Sequence, residues 1–138
     1  MRKRTKAREY VLQMLYQADI TRGNWQDILN SFWLSNDHED ISAELKDFSA
    51  ELLKGVVEHM QEIDEKISKY AANWKLERMA FVDRNIMRLG CFELIFREDI
   101  PPKVAINEAV ELAKKYSGSE SGKFVNAILD QVKIEKEK

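Results

Sequence analysis

Two prolines, adjacent at Pro101 and Pro102, and five glycines are the only strong breakers in 138 residues. So few turn-formers argue against many short strands and favour long helices. The single cysteine, Cys91, excludes an internal disulfide and fits a reducing cytoplasm. No apolar run approaches the ~20 residues of a membrane span. The basic start is not followed by a signal-type apolar stretch, because Glu9, Gln13, Gln17 and Asp19 interrupt it. "GSESG" (118–122) lacks the lysine and the preceding strand of a phosphate loop. The two histidines, His38 and His59, lack zinc-ligand spacing and read as surface residues. No cofactor, metal or catalytic residue is expected.

What is present is 44% apolar and 33% charged, enough to bury a core in one domain spanning 1–138. The net charge of −2 conceals an asymmetry: Arg2, Lys3, Arg4, Lys6 and Arg8 precede the first acid, Glu9, so the remainder carries −7. That pattern suits a small directed grip on a polyanion better than a wholly basic face. From charge alone, a solvated basic tail fits equally well.

Apolar spacing predicts an all-α fold. Ala7, Val11, Met14, Leu15 and Ala18 mark a first helix over about 5–20, with Thr5 as its N-cap and Thr21-Arg22-Gly23 as its end. Trp25, Ile28, Leu29 and Phe32 give a short second helix capped by Asn24, followed by the polar loop "SNDHED" (35–40). Leu45, Phe48, Leu52, Val56, Met60, Ile63, Ile67 and Tyr70 predict one long helix over about 42–72, with Gly55 hinting at a close crossing. These three helices form an N-terminal bundle over about 1–72. In a C-terminal bundle over about 73–138, Leu76 and Met79 suggest a short helix. Asp83 then caps a central helix, apolar on most sides, that runs to about Arg97 and carries Cys91. Pro102 suits the first turn of the next helix, Ser117-Gly118 closes it, and the last helix buries Phe124, Val125, Ile128, Leu129 and Val132. "KIEKEK" reads as a frayed, solvated end.

Most chemistry-bearing residues have a bland reading. Cys91 on that apolar helix is inert packing. Glu108 and Glu111 could share a metal, but Glu111 precedes Lys115 by four, the order of a surface ion pair. Asn107 and Asn126, set among apolar neighbours, read as buried carboxamides tying helices together. The opening segment resists that treatment. Arg4 and Arg8 are one turn apart with Lys6 nearby, and Tyr16 continues the row 4, 8, 12, 16 away from the apolar stripe. Cations leading to an exposed ring are what single-stranded RNA binding uses: charge tracks phosphates and the ring stacks on a base.

Three stretches add a resemblance. "PPKVAINEAVELAKKYSGSESGKFVNAILDQV", "AREYVLQMLYQADI" and "VDRNIMRLGCFELIF" resemble, in order and spacing, the signature segments of the bacterial transcription antitermination factor NusB family. The likeness runs from about residue 4 to 132. It implies an all-α fold of about seven helices, two packed three-helix bundles sharing one core, and no catalysis. It implies binding to single-stranded boxA RNA of ribosomal transcripts, with the small-subunit ribosomal protein NusE, within the transcription elongation complex. It places RNA contacts at Arg2, Lys3, Arg4, Lys6, Arg8 and Tyr16, and again at Lys123 and Phe124. Thr5 stands where the family often has another arginine, so one phosphate contact fewer is implied. Glu77, Asp83 and Glu120 match acidic positions at or near the RNA and NusE surfaces. An acidic body suits a basic ribosomal partner. Some members self-associate over the RNA face, so a homodimer stays open.

Two rival readings remain at this point. Related helical modules precede rRNA cytosine methyltransferase domains, but no strand pattern or glycine loop follows here. The other is a helical scaffold that binds only proteins, which RNA affinity unchanged on neutralising Arg4 and Arg8 would favour.

Overall fold

The computed structural model describes residues 3–35, 41–71 and 75–138. They form seven α-helices: α1 (Lys3–Thr21), α2 (Trp25–Ser35), α3 (Ala43–Glu58), α4 (Met60–Tyr70), α5 (Phe81–Phe96), α6 (Pro102–Tyr116) and α7 (Ser119–Glu137). A 3₁₀ turn, Leu76–Arg78, precedes α5. The chain divides into two compact units, Met1–Glu58 and His59–Lys138.

In the first unit α1 packs on α2 and α3. Helix α1 begins at Lys3, so Thr5 lies inside it rather than capping it. It ends as expected near Thr21, with Arg22 rather than Gly23 taking the left-handed turn at φ 60°. The Asn24 cap is present: its Oδ1 accepts from the amides of Gln26 (2.9 Å) and Asp27 (3.2 Å). Ser42 Oγ accepts from Leu45 N at 3.3 Å at the start of α3. Ala7, Val11, Met14, Leu15, Leu52, Leu53 and Val56 are buried, and the rings of Tyr10, Phe32 and Trp33 meet at centroid distances of 5.1 to 5.8 Å.

The single helix expected over 42–72 is two helices. His59 leaves the helical path at φ −110°, ψ 17°, and the unit boundary falls there instead of near 72. Its ring packs 4.1 Å from Phe96 and 6.0 Å from Phe92. The apolar stripe runs through the break, so periodicity cannot detect a kink anchored by residues more than thirty positions away. The second unit therefore holds four α-helices, α4 to α7.

Helix α5 is its centre, with Ile86, Met87, Leu89, Cys91 and Leu94 buried. It begins at Phe81 with Ala80 at the cap position. Asp83 lies in the first turn, where its charge still suits the helix dipole. Gly90 marks a tight crossing: a Cβ there would stand 2.8 Å from Leu129 Cδ1 and 2.9 Å from Ala109 Cβ. Pro102 opens α6 as expected, and Gly118 at φ 122° separates α6 from α7.

The buried carboxamide is Asn85, not Asn107 or Asn126, both of which are exposed. Asn85 Nδ2 donates to the Phe81 carbonyl (2.8 Å), and its Oδ1 accepts from Arg88 Nη1 (3.2 Å). Arg88 in turn grips Asp64 of α4 by two parallel bonds, Nε to Oδ1 at 2.9 Å and Nη2 to Oδ2 at 3.0 Å. Glu111 lies at the surface as expected, but its ion pair is with Lys114 at 3.5 Å, one turn on at i+3, where the i, i+4 order had pointed to Lys115.

The C-terminus is not a frayed end. Helix α7 runs to Glu137, Lys136 Nζ donates to the Leu94 carbonyl (2.8 Å), and Glu135 bonds to Lys66 (2.9 Å) and to Lys69 of α4. The hydrogen bonds from Lys69 and Lys66 pull the Glu135 carboxyl from the ordinary 4.5 down to about 2. A depressed carboxylate stabilises the fold above its unfolded pKa and loses that contribution as pH falls through the folded value. Glu135→Gln should therefore be less stable than the parent at neutral pH. The difference should shrink between about pH 4.5 and pH 2. Denaturant titrations at a series of pH values measure it, and a gap independent of pH would contradict the clamp.

Burial pushes the Cys91 thiol up to about 12. The thiolate is the reactive form, so a thiol reagent should label native protein only as fast as the second unit opens. Cys91→Ala should cost about 1 to 2 kcal/mol through a small cavity. Prompt labelling without denaturant would refute burial.

Candidate nucleic-acid interface

Two surfaces carry the residues singled out from the sequence, one in each unit. In the first, α1 emerges from its core at both ends. Lys3 and Arg4 are exposed at its start, while Lys6 is half-buried with its ammonium 5.0 Å from the Tyr10 ring. Arg2 lies outside the described residues. Tyr16 is 39% exposed, on a face shared with Gln13, Gln17 and Ile20. That display is suited to stacking on a base.

Arg8 departs from expectation. It is 2% exposed, with its guanidinium 5.5 Å from the centre of the Phe48 ring, and Leu12 is buried beside it. The row 4, 8, 12, 16 is therefore not one solvent-facing strip. Residues 7 to 12 are buried all round the helix, because α1 is the inner helix of its unit, and only the ends of the row surface. Arg4 lies 4.2 Å from the same Phe48 ring.

In the second unit the 3₁₀ turn and the starts of α5 and α7 enclose a cleft of about 330 Å³, lined by Arg78, Met79, Ala80, Asp83, Glu120, Ser121 and Phe124. Three of the expected residues, Asp83, Glu120 and Phe124, thus meet in one place. Lys123 stands beside them with its ammonium 3.4 Å from Glu120, an exposed pair worth little in stability. Glu77 is exposed on the neighbouring turn but does not line the cleft. Ser121 Oγ donates toward Asp83 Oδ2 at 3.4 Å and lies 3.0 Å from Ser117 Oγ, whereas Asp83 Oδ1 is buried without a hydrogen-bond partner. Sequence reasoning missed Arg78 and Ser121. Nothing in "LERMA" or "GSESG" distinguishes them from ordinary surface residues before the turn and α7 are folded together.

Among the described residues no cluster of three His, Cys, Asp or Glu side chains could hold a metal ion, and no helix is long and apolar enough to cross a membrane. The described residues form an all-α protein of seven helices that carries cations, carboxylates and aromatic rings at its surface. The NusB family model matches residues 5–133, and the chain belongs to that family. It is 46% identical to the transcription antitermination protein NusB of Thermodesulfovibrio yellowstonii, over 94% of this chain and 91% of that one. It is 48% identical to that of Anaeromyxobacter dehalogenans, over 94% and 89%. Among solved structures, T. maritima NusB superposes with a TM-score of 0.87 at 38% identity, covering 96% of this chain and 91% of that chain. A structure of antitermination factors NusB and NusE in complex with dsRNA superposes with a TM-score of 0.84 at 31% identity, covering 98% of each. The family is one of non-catalytic transcription antitermination factors.

Proposed function

We propose that this factor binds single-stranded boxA RNA of ribosomal transcripts together with the ribosomal protein NusE. It does so within the transcription elongation complex, in the cytoplasm. The observation that carries the RNA and NusE part of this reading is the likeness, along 98% of the chain, to a factor solved with NusE and dsRNA; the preference for a single strand rests on the exposed ring of Tyr16. The arrangement of α1 supports it: exposed Lys3 and Arg4, with Lys6, supply phosphate contacts, and Tyr16 supplies a stack, while Arg2 joins them on the sequence alone. In the second unit Lys123 and Phe124 add RNA contacts, while Glu77, Asp83 and Glu120 offer carboxylates to the basic partner. Arg8, being buried, is not assigned a phosphate.

The test is RNA affinity with and without NusE, at two salt concentrations, for single-stranded boxA RNA and for a duplex of the same sequence. The reading expects tighter binding to the single strand, strengthened by the partner and weakened by salt. Equal affinity for the duplex would remove the stacking role, because paired bases offer no free face. Absence of RNA binding beside intact NusE binding would favour a protein-only scaffold.

A further inference from the structure

Two arginines one helical turn apart converge on one phenyl ring. Arg4 stands 4.2 Å from the Phe48 centroid and Arg8 stands 5.5 Å from it. They differ in exposure: Arg4 is open to solvent and Arg8 is 2% exposed. Phe48 is itself buried, on α3, and so cannot stack on a base. Nothing in the spacing of α1 explains why a buried cation and an exposed one should share this ring.

Resting on the RNA-binding reading above, we propose that Phe48 is a positioning residue for Arg4, and that Arg8 acts behind the ring rather than on RNA. The negative face of the ring attracts the guanidinium, and burial around the ring strengthens that attraction. A free arginine at a helix end samples many rotamers, and all but one must be given up when it meets a phosphate. Held on the ring, Arg4 gives up that freedom before RNA arrives, so the phosphate contact is pre-organised. Arg8, inside, packs its stem and guanidinium against the same ring and fixes where the ring sits between α1 and α3.

The experiment is a double-mutant cycle on the full chain, read as affinity for fluorescent single-stranded boxA RNA across a salt series. Circular dichroism confirms folding at the assay temperature. Arg4→Ala should weaken binding about fivefold or more in the parent and less than twofold in a Phe48→Leu background, since leucine keeps the packing and loses the ring. Phe48→Tyr should restore the full effect of Arg4→Ala. Arg8→Ala should leave the salt slope of the folded protein unchanged. The proposal is overturned if Arg4→Ala costs the same in both backgrounds, or if it costs nothing in a parent that binds RNA. It is also overturned if Arg8→Ala lowers the slope by roughly 0.7, the signature of one lost phosphate contact on a single strand. A parent that binds no RNA at all would instead remove the underlying reading and the proposal with it. A measurement on the parent alone covers the case in which Phe48→Leu does not fold. The Arg4 Cδ protons should show an upfield ring-current shift in the NMR spectrum of the free protein, and unshifted protons would overturn the proposal.

Discussion

Asp64→Ala should lower stability by about 3 kcal/mol. Asp64 takes two charge-assisted bonds from Arg88, at 2.9 and 3.0 Å, and the Arg88 side chain is 10% exposed. Alanine leaves that cation deep in the helix interface with Asn85 Oδ1, itself buried, close by. Breaking a buried pair from one side costs more than the pair is worth, because the stranded charge keeps its desolvation penalty. Asp64 is partly open to water, so the figure belongs at the low end of the range for buried pairs. In a chain of this size about 3 kcal/mol corresponds to a drop in Tm of roughly 10 °C. Arg88→Met combined with Asp64→Leu should recover most of the loss, since apolar residues of similar volume replace a buried pair at little cost. Thermal and urea unfolding of the three proteins measures this. An Asp64→Ala variant within about 0.5 kcal/mol of the parent would mean that the pair behaves as a surface contact.

Gly90→Val should cost roughly 2 to 3 kcal/mol. The first added carbon would meet Leu129 Cδ1 at 2.8 Å and Ala109 Cβ at 2.9 Å. The leucine end can turn away, but the alanine Cβ is fixed to α6 and yields only if the helix moves. Gly90→Ala is a gentler probe. The same clash is partly offset by the better helix propensity of alanine, worth about 1 kcal/mol. Adding Ala109→Gly to Gly90→Ala should restore packing distance at the crossing and return part of the loss. Denaturant midpoints decide it: no stability difference between Gly90→Val and the parent would mean that α5, α6 and α7 do not approach as closely as described.

Helix type and most boundaries were legible in the sequence because one-sided apolar spacing encodes them directly; the helix number was not, since the stripe over 42–72 reads as one helix and folds as two. The family was legible as well, since three signature stretches stand in register. What was hidden depended on contacts between distant positions. The break at His59 interrupts no apolar stripe, and its anchor is the ring pair Phe92 and Phe96 on α5. Asn107 and Asn126 look buried because their neighbours are apolar, yet both face water. Asn85, flanked by Arg84 and Ile86, is the buried one, and its bonds to the Phe81 carbonyl and to Arg88 show why. A terminal "KIEKEK" has the composition of a solvated tail, but Glu135 and Lys136 find partners at Lys66, Lys69 and Leu94. On α1, the exposure of Lys3, Arg4 and Tyr16 was readable from charge and from their place off the apolar stripe. The burial of Arg8 was not, because a basic residue on an inner helix looks like any other until the aromatic beside it is known.

The measurement closest to the central claim, that α1 grips RNA by charge at its start and by a ring further along, is a salt titration of single-stranded boxA RNA affinity on Arg4→Ala and Tyr16→Ala. The two residue types should fail differently. Arg4→Ala should weaken binding and flatten the dependence on salt by roughly 0.7 in logarithmic slope. Tyr16→Ala should weaken binding by about 1 to 3 kcal/mol and leave the slope unchanged. Both proteins should remain folded, since both side chains reach the surface. Parent affinity and parent slope in both folded variants would contradict the claim and move the RNA site off α1.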